Sequence, residues 1–298
     1  ITNFGGGNTS SKFDLPDPLT GEPRRVMAVK GSGGDLASIG SSGFAVLYMD
    51  KLNDLVGRYR GEAHEDAMVA YYPLCAFGDN RVAASIDTPL HAFLPFAHVD
   101  HLHPDWAIAL AASANGRSKL EAFNTRFGRQ IAWVPWQRPG FELALMLRRA
   151  VADHPGCDGI VLGGHGLFTW GDTPRACYVS SLTTIDQMGR FLDEHRRRTP
   201  RPEFGGVAVE APAPDAARVE ALLPWLRGAV STNRRTVAHV DSSATALAFA
   251  NSQWAEALCE LGRLEAEVEE PGVRHLLGDP HDPGRGRLVR VGAGEGHA

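Results

Sequence analysis

Apolar positions come in short blocks with two different periods, and the blocks predict a mixed α/β chain. RRVMAV (24–29), FAHVDHLH (96–103) and QIAWVPW (130–136) read as strands, and RVAASID (81–87) has strand-like character. FAVLYMD (44–50) is too short for its period to separate a strand from a helix start. Helical spacing runs through DKLNDLVGRY (50–59), PDWAIALAASA (104–114) with Pro104 at its first position, and FELALMLRRAVADH (141–154) with a stop at Gly156. The clearest helix is 173–194. Thr173 can cap it, and Tyr178, Leu182, Ile185, Met188 and Leu192 form one stripe. GIVLGGHGLFTWG (159–171) reads as a strand, a glycine turn and a second strand. The first forty residues are expected to be loop-rich around RRVMAV, with loops at 4–12, 16–23 and 29–36.

Beyond a linker at 196–206, the segment 211–230 is expected to be a helix broken at Pro224. Segments 234–243 and 244–252 are expected to be strands and 254–270 a helix, with a loop-like tail from Pro271. The predicted architecture is α/β: a main domain at 1–198 and a smaller α/β C-terminal extension at 199–298.

The 30 basic and 35 acidic residues among 298, a net charge of −5, argue against a general nucleic-acid binder. No apolar run approaches the ~18 residues of a membrane span, and no charged-then-apolar signal segment opens the chain. Ile1 opens directly onto a glycine loop, so the natural start is expected upstream. Cys75, Cys157, Cys177 and Cys259 lie far apart without a C-x-x-C, which points to a reducing compartment and a cytoplasmic protein.

Histidine carries the chemistry. Four of the twelve, His91, His98, His101 and His103, cluster in sequence. In a strand, residues i and i+2 share a face, so H-L-H at 101–103 aims two imidazoles at one point. A catalytic zinc site takes three protein ligands and keeps one position open. His165, bracketed by glycines at the end of an apolar strand, is the best third ligand. In S-I-D-T-P-L-H-A (85–92), Asp87 is either a turn or helix cap or a base beside the metal, and spacing leaves both open. His91 is open between ligand, outer partner and structural roles; for His98 an outer or structural role is favoured. The loops G-G-G-N-T-S-S-K (5–12) and K-G-S-G-G-D-L (30–36) can form anion nests, with Asn8, Thr9, Ser10, Lys30 and Ser32 as further donors. Neither is a P-loop or a dinucleotide fingerprint.

These motifs, followed by H-G-L-F-T-W-G, occur in the order of the class II aldolase/adducin family, which the chain resembles from about residue 4 to 195. The likeness is greatest to the aldolase part of bifunctional rhamnulose-1-phosphate aldolase/alcohol dehydrogenase proteins. The resemblance implies a layered α/β/α catalytic domain and a homotetramer. It implies cleavage of L-rhamnulose 1-phosphate to dihydroxyacetone phosphate and L-lactaldehyde, with one Zn²⁺ per chain on His101, His103 and His165. Asp87 stands where smaller sugar-phosphate aldolases carry a glutamate acid/base. Gly6, Gly7, Asn8 and Thr9, with Gly31, Ser32 and Ser85, would bind phosphate. A metal-dependent epimerase or decarboxylase on the same scaffold is the alternative reading, and a non-catalytic adducin-like assembly module a further one. No glycine-rich dinucleotide loop follows residue 262, so oxidation of the aldehyde is not expected of this chain.

Overall fold

The computed structural model describes residues 6–210, 216–231, 238–259 and 289–291. The chain divides into two compact units, Ile1–His195 and Arg196–Ala298. In the first, the strands are β1 (Asn8–Pro16), β2 (Pro23–Lys30), β3 (Phe44–Tyr48), β4 (His98–Leu102), β5 (Ile131–Val134), β6 (Gly159–Leu162) and β7 (Leu167–Gly171). Its helices are α1 (Met49–Asp54), α2 (Glu65–Val69), α3 (Thr88–Ala92), α4 (Asp105–Ala111), α5 (Gly116–Phe127), α6 (Phe141–Asp153) and α7 (Pro174–Arg198). The strands form one sheet in the order β3-β2-β1-β4-β7-β6-β5, antiparallel except for β5–β6.

Register sorts the side chains onto two faces. Ser10 pairs with Val29 and Val99, and His101 pairs with Asn8 and Phe168. Val29, Val99, Phe168 and Ile160 therefore share one face, which packs against Leu52 of α1, Leu90 of α3 and Leu147 of α6. Val161, Leu167 and Ile131 face the other way and pack against Leu110, Phe123 and Met188 of α4, α5 and α7. The result is the expected α/β/α layering, with β4 and β7 near its centre.

Helix α6 shows how one element is set. Phe141, Ala144, Leu147 and Val151 repeat at helical spacing and are buried. Its first amides are met by a side chain from α2: Glu65 accepts from the backbone N–H of Phe141 and, at 3.3 Å, of Glu142. Gly140, at φ 149, gives that carboxylate room, because a Cβ there would collide with it.

Several expectations are corrected. The loop expected at 4–12 is strand β1 from Asn8 onward. Apolar alternation is missing because the core-facing positions are Asn8, Ser10 and Lys12, each buried and hydrogen-bonded. Asn8 Nδ2 donates to the Lys30 carbonyl at 3.4 Å, Ser10 Oγ pairs with His91 Nδ1 at 2.9 Å, and Lys12 Nζ donates to the carbonyls of Leu94 and Phe96. Residues 81–87 are no strand; Ala84 makes an isolated bridge to Gly31. Pro104 precedes α4 as its cap residue. In α7, Tyr178 and Leu182 of the expected stripe are exposed, and Cys177, Ser181 and Thr184 are buried in their place. Polar partners explain the shift: Ser181 donates to Asp100 at 2.8 Å, and Arg129 donates to Thr184 at 2.9 Å.

The second unit contains α8 (Ala216–Val230), β8 (Ala238–Val240), α9 (Ala244–Ala250) and β9 (Val289–Val291). β8 and β9 pair in parallel. Pro224 does not break α8, which runs on through it at the loss of one intrahelical bond. The strand expected at 244–252 is helix α9. Its short apolar run fits either period, and Ser243 tips the balance by capping the N-terminus, its Oγ accepting from Ala246 N–H at 3.2 Å. Of the strand expected at 234–243, residues 234–237 lie outside the described residues, as do 260–270 of the last expected helix and all of the tail except 289–291.

Candidate metal centre

Strand β4 carries His101 at a fully buried position, and His103 follows one residue beyond the strand end on the same face. His165 sits in the glycine turn between β6 and β7, where its N–H bonds the Leu162 carbonyl at 3.1 Å. The antiparallel register of β4 and β7, with Leu102 opposite Leu167, brings the turn to the end of β4. The three imidazoles converge: Nε2 of His103 lies 3.0 Å from Nε2 of His101 and 2.9 Å from Nε2 of His165. One ligand nitrogen from each falls within 4.8 Å of the others. Phe168 stacks on His101 at 4.3 Å and 10°, fixing that ring from behind. Gly166 is required by close approach, because a Cβ there would lie 2.7 Å from the Leu102 carbonyl and 2.8 Å from His103 Cδ2.

Asp87 stands behind the cluster. Its Oδ2 lies 3.5 Å from His101 Nδ1, the ring nitrogen turned away from the other histidines. Burial alone would raise the Asp87 carboxyl, but His101, then His91 and His165, outweigh it and hold the group below the usual carboxylate range. Burial, and then the proximity of His101 and His165, push His103 down to about 2, so its ring is neutral near pH 7. Burial pushes His91 down to about 3 against the pull of Asp87. Asp87 Oδ1, His91 Nε2 and His101 Nδ1 are buried without a hydrogen-bond partner.

This donor set fits a divalent cation. A carboxylate beside Nδ1 favours the proton there and leaves His101 Nε2 as a lone pair. His103 Nε2 then faces two neighbours, and a single proton can bridge only one of the gaps. A cation satisfies all three. Zn–N bonds of about 2.0–2.1 Å at tetrahedral angles hold ligand nitrogens roughly 3.3 Å apart, within a few tenths of an ångström of the His103–His101 and His103–His165 distances.

The remaining expected site residues gather only in part. Asn8 is fully buried directly across from His101. Gly7 precedes it at φ 83, a backbone that favours glycine, beside Gly6. The Thr9 side chain points to the opposite face of the sheet, where its hydroxyl donates to Asp100 at 2.7 Å. The second loop is tied down by its own amides: Gly31 N–H bonds the Gly43 carbonyl and Ser32 N–H the Ala83 carbonyl, both at 2.9 Å. Those N–H groups are therefore not open to an anion, and the exposed Ser32 hydroxyl is the loop's outward donor. Ser85 Oγ accepts from Asp87 N–H at 3.2 Å and so supports the carboxylate. His98 is held apart on the other face by Ser11, at 2.8 Å from its Nδ1.

Sequence reasoning missed Phe168, Gly166 and Asp100. For Phe168 the signal was present, since alternation in G-H-G-L-F-T-W puts it on one face of β7. Asp100 accepts from Thr9, which pairing across the sheet sets opposite it, and from Ser181, which the packing of α7 brings to it.

Comparison with known proteins follows the same outline. A family model described as Class II Aldolase and Adducin N-terminal domain matches residues 1–186. A Bacillus subtilis (strain 168) protein described as "Uncharacterized oxidoreductase YuxG" is 36% identical over 265 residues, covering 88% of this chain and 37% of that protein. The chain thus spans little more than a third of that relative's length. The N-terminal class II aldolase domain of a conserved protein from Thermoplasma acidophilum is similar in structure, with a TM-score of 0.57 and 31% identity, covering 63% of this chain and 84% of that one. Among the described residues no helix is long and apolar enough to cross a membrane.

Proposed function

Because the chain belongs to the class II aldolase and adducin family, we propose that it is a zinc-dependent aldehyde-lyase that cleaves L-rhamnulose 1-phosphate to dihydroxyacetone phosphate and L-lactaldehyde. One observation carries the reading: three histidine ring nitrogens converge within 4.8 Å, with a buried carboxylate 3.5 Å behind one of them. The order of the glycine-loop and histidine motifs supports the choice of substrate.

His101, His103 and His165 would hold one zinc ion per chain, which when bound polarises a carbonyl and stabilises the negative charge that develops on its oxygen. The residues of the chain supply the rest. Asp87, whose Oδ2 lies 3.5 Å from His101 Nδ1, orients that ring, and its carboxylate would accept the proton of the C4 hydroxyl. The C4–O bond becomes a carbonyl, the C3–C4 bond breaks, and its electron pair moves toward C2 and the C2 oxygen. C3 is then reprotonated, which yields dihydroxyacetone phosphate. Asp87 is one methylene shorter than glutamate, and its attachment at the first turn of α3 brings it to the cluster. Gly6, Gly7 and Asn8, with the hydroxyls of Ser32 and Ser85, would hold the phosphate. A homotetramer in the cytoplasm completes the reading; exposed Tyr178, Val179 and Leu182 on α7 support self-association.

The test is metal content by elemental analysis, together with release of dihydroxyacetone phosphate from L-rhamnulose 1-phosphate. Both are measured on the wild-type chain and on a His101→Ala/His103→Ala variant. About one zinc per chain, lost together with activity in the variant, is the expected result. Metal without release would redirect the search to epimerase or decarboxylase substrates. A wild-type chain that takes up no metal would overturn the reading.

A further inference from the structure

A second site lies farther along β1. Lys12 is four residues beyond Asn8 on the same face, about 13 Å away at strand rise. There the structure has an open cavity of about 340 Å³ between β1, β2, α1 and α6. Three basic side chains line it, Lys12 from β1, Arg25 from β2 and Arg148 from α6, and no carboxylate does. The rest of the wall is mainly apolar, including Met49, Phe93, Pro95 and Phe96.

The three are held differently. Lys12 is buried, and its donation to the carbonyls of Leu94 and Phe96 fixes the amine at the cavity wall. Arg25 makes a loose ion pair with Asp14 at 3.5 Å, half-exposed on both sides. Arg148 is exposed on α6 and makes no ion pair among the described residues. Two exposed guanidinium groups and a buried amine line one cavity whose wall carries no carboxylate, which favours an oxyanion, and guanidinium groups take carboxylate or phosphate in paired hydrogen bonds. Size decides the rest. A cavity of this volume sits at the lower end of small-molecule pockets, about 300–1,000 Å³, and exceeds what a bare phosphate fills. The aromatic and aliphatic wall calls for an apolar body behind the charged group.

We infer that this cavity is a binding site, separate from the histidine cluster, for a small organic oxyanion: a phosphate or carboxylate carried on a compact apolar body. The inference does not depend on the lyase reading.

Phenyl phosphate, benzoate and inorganic phosphate, each titrated calorimetrically against the full chain, test it. Phenyl phosphate or benzoate should bind, and inorganic phosphate should bind at least about 10-fold more weakly for want of apolar contact. The two organic probes separate a phosphate preference from a carboxylate one. An Arg25→Gln/Arg148→Gln variant, altered at surface positions, should melt like wild type and bind the better organic probe about 10- to 100-fold more weakly. Equal affinity of wild type and this variant would put the probe elsewhere, including the glycine loops, and overturn the inference. So would the absence of binding by either organic probe, or inorganic phosphate binding as tightly as both.

Discussion

The two faces of β4 use the same residue types to opposite ends. On one face Asp100 and His98 are satisfied inside the protein: Asp100 accepts from Thr9 and Ser181, and His98 pairs with Ser11. On the other face, Asp87 Oδ1 and His91 Nε2 are buried without a partner, and His101 Nδ1 has only the Asp87 oxygen at 3.5 Å. A buried polar group left unmatched costs about 1–3 kcal/mol, so a fold keeps several together only where something else completes them. The first face satisfies its polar groups internally and the second leaves them for the proposed metal chemistry, although V-D-H-L-H-P writes both in one run of sequence.

Substitutions can break that contrast, beginning with the largest effect. Asp87→Asn keeps the shape but removes the proposed proton acceptor. With the metal site saturated, kcat for cleavage should fall about 10²- to 10⁴-fold, measured as product release. Asp100→Ala should do the reverse. It strands the Thr9 hydroxyl and should cost about 2–3 kcal/mol in denaturant unfolding, with zinc per chain unchanged. Gly166→Ala should push His103 aside and weaken zinc affinity about 10-fold in a chelator competition, since groups that orient a ligand are worth 10- to 100-fold. His98→Gln, on the satisfied face, should change stability by less than about 1 kcal/mol and leave metal content alone.

Lys12 sharpens the contrast from a third position. Burial, and then Arg25, lower its pKa from 10.5 to about 7. Between pH 7 and pH 9 the unfolded chain holds this proton and the folded chain releases it, so this group makes stability rise with pH across the window. Below pH 7 both states are protonated and the burial penalty is present in full. Lys12→Met should remove that rise, seen as a smaller gain in unfolding free energy from pH 7 to pH 9 than in wild type.

Legibility followed the kind of signal each element carries. Strands β2, β4 and β7 and helices α6 and α7 announce themselves by apolar period, and H-L-H puts two imidazoles on one face by strand geometry alone. Strand β1 was hidden, because its buried positions are Asn8, Ser10 and Lys12, and only partners on β2, α3 and the segment before β4 make burying them tolerable. The buried face of α7 was shifted for the same reason, with Ser181 and Thr184 turned inward by Asp100 and Arg129.

What the sequence by itself determined is the α/β class, the pair His101 and His103, and the glycine-bracketed candidacy of His165, since each rests on local spacing and chain geometry. What only the tertiary structure decided is which lone pairs meet. The β4–β7 register brings His165 to His103, the position of Asp87 at the start of α3 sets its carboxylate beside Nδ1 of His101, and the β1–β4 register sends Thr9 away to Asp100. These are contacts between residues far apart in the chain, and pairing across the sheet, which no local period encodes, determines which side chains find a partner and which are left to bind something else.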